Sequence, residues 1–166
     1  FPNYDAEIGT GMSAITTKAP WDFDMDASNN KYDVGTGLKL HAAMNKSELY
    51  DLEDRNLHGI DISGLGFLNI KSANAYITPN SFSTPANTAP SVQRAIDEVA
   101  ANGTVNIKSG TTYTGGADAS AKTVALAPGA SPSCVTITGN LVLNSGDILD
   151  MEIEGNVACT QYDQIQ

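Results

Sequence analysis

The chain has 166 residues, enough for one domain with a real core, and 19 acidic against 9 basic residues give it a formal net charge of −10. That charge argues against a nucleic-acid backbone or an anionic membrane surface as partner. No apolar run reaches the ~20 residues of a membrane helix, and only 17% of residues are charged, so Thr, Ser, Asn and Gly must cover most of the surface, as in many extracellular β-proteins.

Residues 1–50 read as an irregular acidic segment that packs on a domain formed by 51–166, the two making one structural unit. The opening "FPNYDAEIGTG" carries no charged–apolar–small leader pattern and reads as the processed terminus of an exported chain. Phe1, Tyr4 and Ile8 lie in a stretch with few core-forming residues and are expected to dock on a neighbouring subunit, as are Tyr162 and Ile165 near the other end. "DFDMDASNNKYD" places Asp22, Asp24, Asp26 and Asp33 at positions 1, 3, 5 and 12 of an EF-hand-like loop, with Ser28 at position 7. Ca²⁺ takes six to eight oxygens, and alternate carboxylates let one turn present several. Ala27 stands where that loop has its turn glycine, and the competing reading is a solvated acidic loop.

"LKLHAAMNKSELYDL" has partial helical spacing (Leu38, Ala42, Leu49), with Ser47 available as a cap before a new element. In 51–72, Leu52, Leu57, Ile62 and Phe67 recur every five residues. This resembles a pentapeptide-repeat solenoid, in which each five-residue face turns one side chain inward. His58 then falls on a solvent-facing position. Neither His41 nor His58 stands at ligand spacing from a Cys or carboxylate, so no zinc site is expected. Residues 78–90 hold three prolines and read as a long turn. "SVQRAIDEVAANG" predicts a helix near 91–101: Ser91 caps it, Val92, Ala95, Ile96 and Val99 form one face, and Asn102-Gly103 stops it. Arg94 is explained by ion pairing with Asp97 and Glu98 along the helix.

Short alternating strands follow, "TVNIK", "KTVALA", "CVTITG", "NLVLN" and "ILDMEIEG", with Gly, Pro, Ser and Asn at the corners. Within 136–155, Ile137, Leu141, Leu143, Ile148, Met151 and Ile153 read as the buried side. Among the carboxylates, Asp147, Asp150, Glu152 and Glu154 could supply a glycosidase pair. Alternation puts the last three on an outward, solvated face.

Two stretches carry resemblances. "APSVQRAIDEVAANGTVNIKSGTTYTGG" looks like the capping helix and first coil of secreted right-handed parallel β-helix proteins of the pectate-lyase-like type. "VTITGNLVLNSGDILDMEIEGNVACTQYDQI" resembles the repeat in passenger regions of autotransporter-type adhesins. The fold these resemblances imply is mainly β: a short right-handed parallel β-solenoid with one capping helix, the alternative being an antiparallel β-sandwich. The implied function is an extracellular structural or adhesive subunit of a bacterial surface fibre, sheath or adhesin, assembling by β-stacking or strand addition and not an enzyme. The alternative is a carbohydrate-active enzyme or glycan-binding module, with a polysaccharide as partner. Cys134 and Cys159 are 25 residues apart, about one coil of such a stack. They can therefore lie one above the other and pair in an oxidising compartment, or remain two buried thiols.

Overall fold

A computed structural model describes residues 23–81 and 91–166. Its elements, in chain order, are β1 (Met25–Asp26), β2 (Lys31–Asp33), β3 (Leu38–Leu40), a 3₁₀ turn (His41–Ala43), α1 (Lys46–Glu53), β4 (Leu68–Asn69), β5 (Asn74–Ile77), α2 (Val92–Glu98), β6 (Gly103–Ile107), β7 (Thr112–Tyr113), β8 (Ala117–Asp118), β9 (Val124–Pro128), β10 (Cys134–Ile137), β11 (Leu141–Val142), β12 (Ile148–Leu149) and β13 (Gln164–Ile165). The fold is mixed α/β, with several small sheets. β2 and β3 form an antiparallel hairpin, while all the other strand pairs in these sheets are parallel.

Helix α1 begins on a reciprocal cap. The Asn45 side chain accepts from the Glu48 N–H, and the Glu48 carboxylate accepts from the Asn45 N–H. Asn45, not Ser47, is the capping residue. Because α1 occupies 46–53 and turns fill most of 54–66, the five-residue faces expected over 51–72 do not form. Helix α2 starts where the sequence places it, with the Ser91 hydroxyl accepting from Gln93 N, but it ends at Glu98, three residues early. Asn102 takes a positive φ of 63° and turns the chain into β6. The guanidinium of Arg94 reaches across to the backbone oxygens of Asp61 (2.7 Å) and Ile60 (3.4 Å), so the side chain ties α2 to the 58–61 turn.

From β9 onward each strand lies parallel on the strand three strands earlier: β9 on β6, β12 on β9, β10 on β7, β13 on β10, and β11 on β8. β5 precedes β6 in the longest sheet. The registers stack side chains in columns, Ala75–Val105–Leu126–Leu149 and Tyr113–Ile137. Ala75, Val105, Leu126 and Tyr113 are fully buried. β5 serves two cores. Ala75 and Ile77 face the main core with α2, β6, β9 and β10. Tyr76 faces a second core with Ala27, Tyr32, Met44, Leu49, Tyr50, Leu52, Leu68 and Ile70. This second core spans residue 50, where the sequence suggests a boundary. Tyr50 packs edge-on against Tyr76 at 5.7 Å between centroids and donates to the carbonyl of Gly129.

The last strands depart from the expected burial. Leu149, not Ile148, stacks in register on Leu126, whereas Ile148 stacks on Ala125; both are exposed, as are Leu143 and Ile153. The alternation restarts one residue out of step after Gly146, whose φ of +119° redirects the chain. Polar staples hold the corners. Asp147 accepts from Val124 N and Asn144 N, and Asp163 accepts from Ser133 N and Glu152 N. Asp147 is therefore a backbone clamp, while Asp150, Glu152 and Glu154 are exposed as expected. A disulfide joins Cys134 to Cys159.

At the corner before β8, Gly116 has φ +71°, and a Cβ there would lie 2.5 Å from the carbonyl oxygen of Asn140 in the next layer. Gly115 also has a positive φ, +89°, but faces open space. Gly115→Ala should thus cost only the left-handed backbone term, about 1 kcal/mol. Gly116→Ala should cost roughly 2–4 kcal/mol because the layers must also part. Urea denaturation of the two variants measures the difference, and equal losses would contradict the stacking.

Candidate functional site

The C-terminus of α1 and the turn that follows bring three ionisable side chains together. Glu53 is on the last turn of α1, His58 follows five residues later, and Asp61 closes a turn in which its N–H and that of Ile62 both donate to the His58 carbonyl (2.9 and 3.0 Å). The Asp61 carboxylate in turn accepts from His58 N at 2.9 Å. Imidazole Nε2 of His58 is 2.8 Å from Glu53 Oε1, and the ring leans on Phe67, 5.4 Å between centroids. The exposures are 2% for Glu53, 0% for His58 and 5% for Asp61. One ligand atom from each residue lies within 4.8 Å of the others, so the trio can coordinate a metal ion. His58 is not solvent-facing, because the five-residue coil that would have exposed it is replaced by α1 and a buried turn. The expectation that the chain is not an enzyme is overturned by this cluster: a buried Glu–His–Asp constellation able to hold a metal is a candidate catalytic site.

Burial works against a charge on His58, but the charge and hydrogen bond of Glu53, joined by Asp61 and Glu98, outweigh it and raise the imidazole above its ordinary value. Asp61 is pushed up to about 7, first by desolvation and then by the charge of Glu53, with Asp54 adding to it. The cluster is thus near neutral when Asp61 keeps its proton and carries excess negative charge when it does not.

Beside the cluster lies a cleft of about 320 Å³, lined by residues that include Asp24, Asp26, Phe67, Asn69, Asn74 and Glu98. Strand β1, paired with β4, supplies Asp26, and Asp24, just before it, accepts through Oδ1 from Phe67 N at 2.9 Å. Glu98, the last residue of α2, reaches in from the other wall. Its carboxyl sits directly on Gly59, where a Cβ would fall 2.9 Å from both Cδ and Oε1, so a larger residue at 59 would displace the Glu98 carboxyl. The two walls hold unlike carboxyls. Glu98 is raised, chiefly by burial and then by the charge of Asp24. Asp26 is lowered by its hydrogen bonds from the side chain and backbone of Ser28.

The residues proposed for an EF-hand-like loop are dispersed. Asp22 lies outside the described residues. Asp26 accepts from Ser28 N and Asp33 from Gly35 N, local turns that use the carboxylates in place of an ion. Among the described residues, Asp24, Asp26 and Asp33 do not form a ligand group; Glu53, His58 and Asp61 do. The structural reason is that β1 and β2 are drawn into different sheets, by β4 and β3 respectively. His41 hydrogen-bonds through Nδ1 to the Ser28 carbonyl. Of the residues expected at an assembly surface, Phe1, Tyr4 and Ile8 lie outside the described residues. Tyr162 bridges to Ile153 and Ala158, and Ile165 packs against the main core. The candidate-site residues that the sequence did not single out are Glu53, His58 and Asp61 together and Glu98 in a cleft. The one available signal was Glu-x₄-His-x₂-Asp, a spacing that no regular element places on one face.

Comparison with protein-family models, with curated proteins and with solved structures finds no match.

The pH dependence of stability follows from Asp61. Its folded pKa of about 7 stands above the ordinary value of 3.8, so the folded state holds the proton more tightly than the unfolded one. The stability this confers is complete below the unfolded value and is lost as pH rises through about 7. The shift corresponds to an upper bound of roughly 4 kcal/mol, and His58 and Glu98 titrate in the same sense. Without added metal, the melting temperature should fall between pH 5.5 and 8.5, and Asp61→Asn should flatten the decline. A melting temperature that rises over this interval would contradict the assignment.

Proposed function

We propose that the chain is a carbohydrate-active module whose working surface is the Asp24–Asp26–Glu98 cleft, carried on a parallel β-solenoid. The observation that carries this reading is the pair of unlike carboxyls facing one small cleft. Glu98 keeps its proton to higher pH and can serve as the general acid on a glycosidic oxygen. Asp26 remains ionised and can serve as base or nucleophile. Met25 and Phe67 give the cleft an apolar lining beside Asp24 and Asp26, a mix of apolar and polar surface of the kind sugars engage. The Asn74 amide is already held by Ser72 and Asn106. A volume near 320 Å³ suits one or two sugar rings. The acidic wall disfavours uronates, so the substrate class is a neutral glycan. A calcium ion would belong to this exposed wall, where solvent can complete its oxygen shell, rather than to the buried cluster. The Cys134–Cys159 disulfide favours an extracellular setting.

Release of reducing ends from a panel of neutral and uronic polysaccharides tests the reading. Turnover should appear on neutral glycans, with a bell-shaped pH profile. Glu98→Gln should reduce it at least ~100-fold with little change in KM. No turnover or binding on any glycan, or full activity in Glu98→Gln, would refute the proposal.

A second reading rests on a different observation. β11, β12 and β13 each end their ladder. Beside them lies a groove of about 500 Å³ lined by Ile137, Leu141, Leu149, Met151 and Ile165 among others. Open strand edges over an apolar floor accept further strands, which favours an adhesive or fibre-forming subunit that associates with a second copy there. Sedimentation velocity should show concentration-dependent association that Leu149→Asp removes; a monomer at every concentration would dismiss it.

A further inference from the structure

We propose that Glu53, His58 and Asp61 form a built-in site for one divalent transition-metal ion of the zinc class, loaded as the chain folds. The proposal stands apart from whatever the neighbouring cleft acts on.

The geometry suits such an ion. A tetrahedral zinc with bonds of ~2.0–2.1 Å needs ligand atoms about 3.3 Å apart. His58 Nε2 and Glu53 Oε1 are already 2.8 Å apart, and all three ligand atoms fall within 4.8 Å of one another. The His58–Glu53 pair would open by about 0.5 Å, and the farther atoms, up to 4.8 Å apart, would close by up to about 1.5 Å.

The charge balance points the same way. Two buried carboxyl groups flank one imidazole: Glu53 meets the ring Nε2, and Asp61 accepts from the His58 backbone N–H. Arg94 Nη1 donates to the backbone oxygens of Ile60 and Asp61. A dication satisfies both carboxylates at once, where a single imidazolium satisfies one.

A further buried donor lies between Glu53 and His58 along the chain. Asn56 is 4% exposed, and its amide oxygen is buried without a hydrogen-bond partner, while its nitrogen is used by the Leu52 carbonyl. A buried oxygen left unsatisfied costs stability, and a fourth ligand position would use it.

The donor set selects the ion. An imidazole with carboxylate oxygens suits zinc or cobalt, whereas calcium wants six to eight oxygens and magnesium retains waters that this closed turn does not admit. Closure also means that the ion enters with folding rather than by diffusion into the finished site.

The test is to refold the full chain at pH 7.5 with Co²⁺ or Zn²⁺ and dialyse away the excess. One ion per chain should remain. In the Co²⁺ form, the ring signals of one histidine of the two should shift paramagnetically, with those of His41 unaffected. Zn²⁺ at a hundredfold excess over Kd should raise Tm by roughly 5–10 °C. His58→Gln and Asp61→Asn should lose the ion, while His41→Gln keeps it. The wild-type NMR readout stands even if a cluster variant fails to fold. No retained ion, or several weakly held ions with neither histidine shifted, would overturn the proposal.

Discussion

The structure depends on the alternation of β5. Tyr76 turns into one core while Ala75 and Ile77 turn into the other, so a four-residue strand joins the N-terminal layer to the ladders. Tyr50 closes over Tyr76 and binds the Gly129 corner beyond it. On this strand the Ala75–Val105–Leu126 column is founded. A shift of one residue in its register would exchange the two sets of side chains and empty both cores at once.

The candidate site is a by-product of that joint. α1 packs on β5 and α2 packs on β5 and β6, which brings the C-terminal ends of both helices toward the same turn, 58–61. Glu53 arrives from the first helix and Glu98 from the second, with His58 and Gly59 between them. Negative side chains gather where helix C-termini already carry negative partial charge. Burial first, and then the charge of Glu53 beside Asp61 and of Asp24 beside Glu98, raises these two carboxyls. Asp26, one strand away and capped by Ser28, escapes the effect, and that contrast gives the cleft its two kinds of carboxyl.

The layered half was more legible than the N-terminal half, and the reason is physical. Ladder strands repeat one rule, an apolar side chain inward at every second residue with a glycine or asparagine at the corner, so the positions of α2, β6, β9 and β10 could be read from period and punctuation. The rule failed at Ile148 because a positive-φ corner resets the count, which no hydropathy pattern records. In residues 51–72 the five-residue spacing of Leu52, Leu57, Ile62 and Phe67 was real but had another origin. Leu52 belongs to a capped helix and Phe67 sits just before a strand, and Asn45–Glu48 capping decided the matter.

What the linear chain determined unaided was composition, charge, the Ser91 cap, the alternating segments and a cysteine spacing equal to one layer. These are local or periodic properties, and each residue carries its part of them wherever it goes. Only the tertiary structure decided which acids meet. Asp24 and Asp26 look like one loop with Asp33 but are pulled into separate sheets. Glu53, His58, Asp61 and Glu98, spread over 45 positions by their numbering, converge because two helices end on the same turn. Convergence of that kind is a property of packing, and no spacing along the chain encodes it.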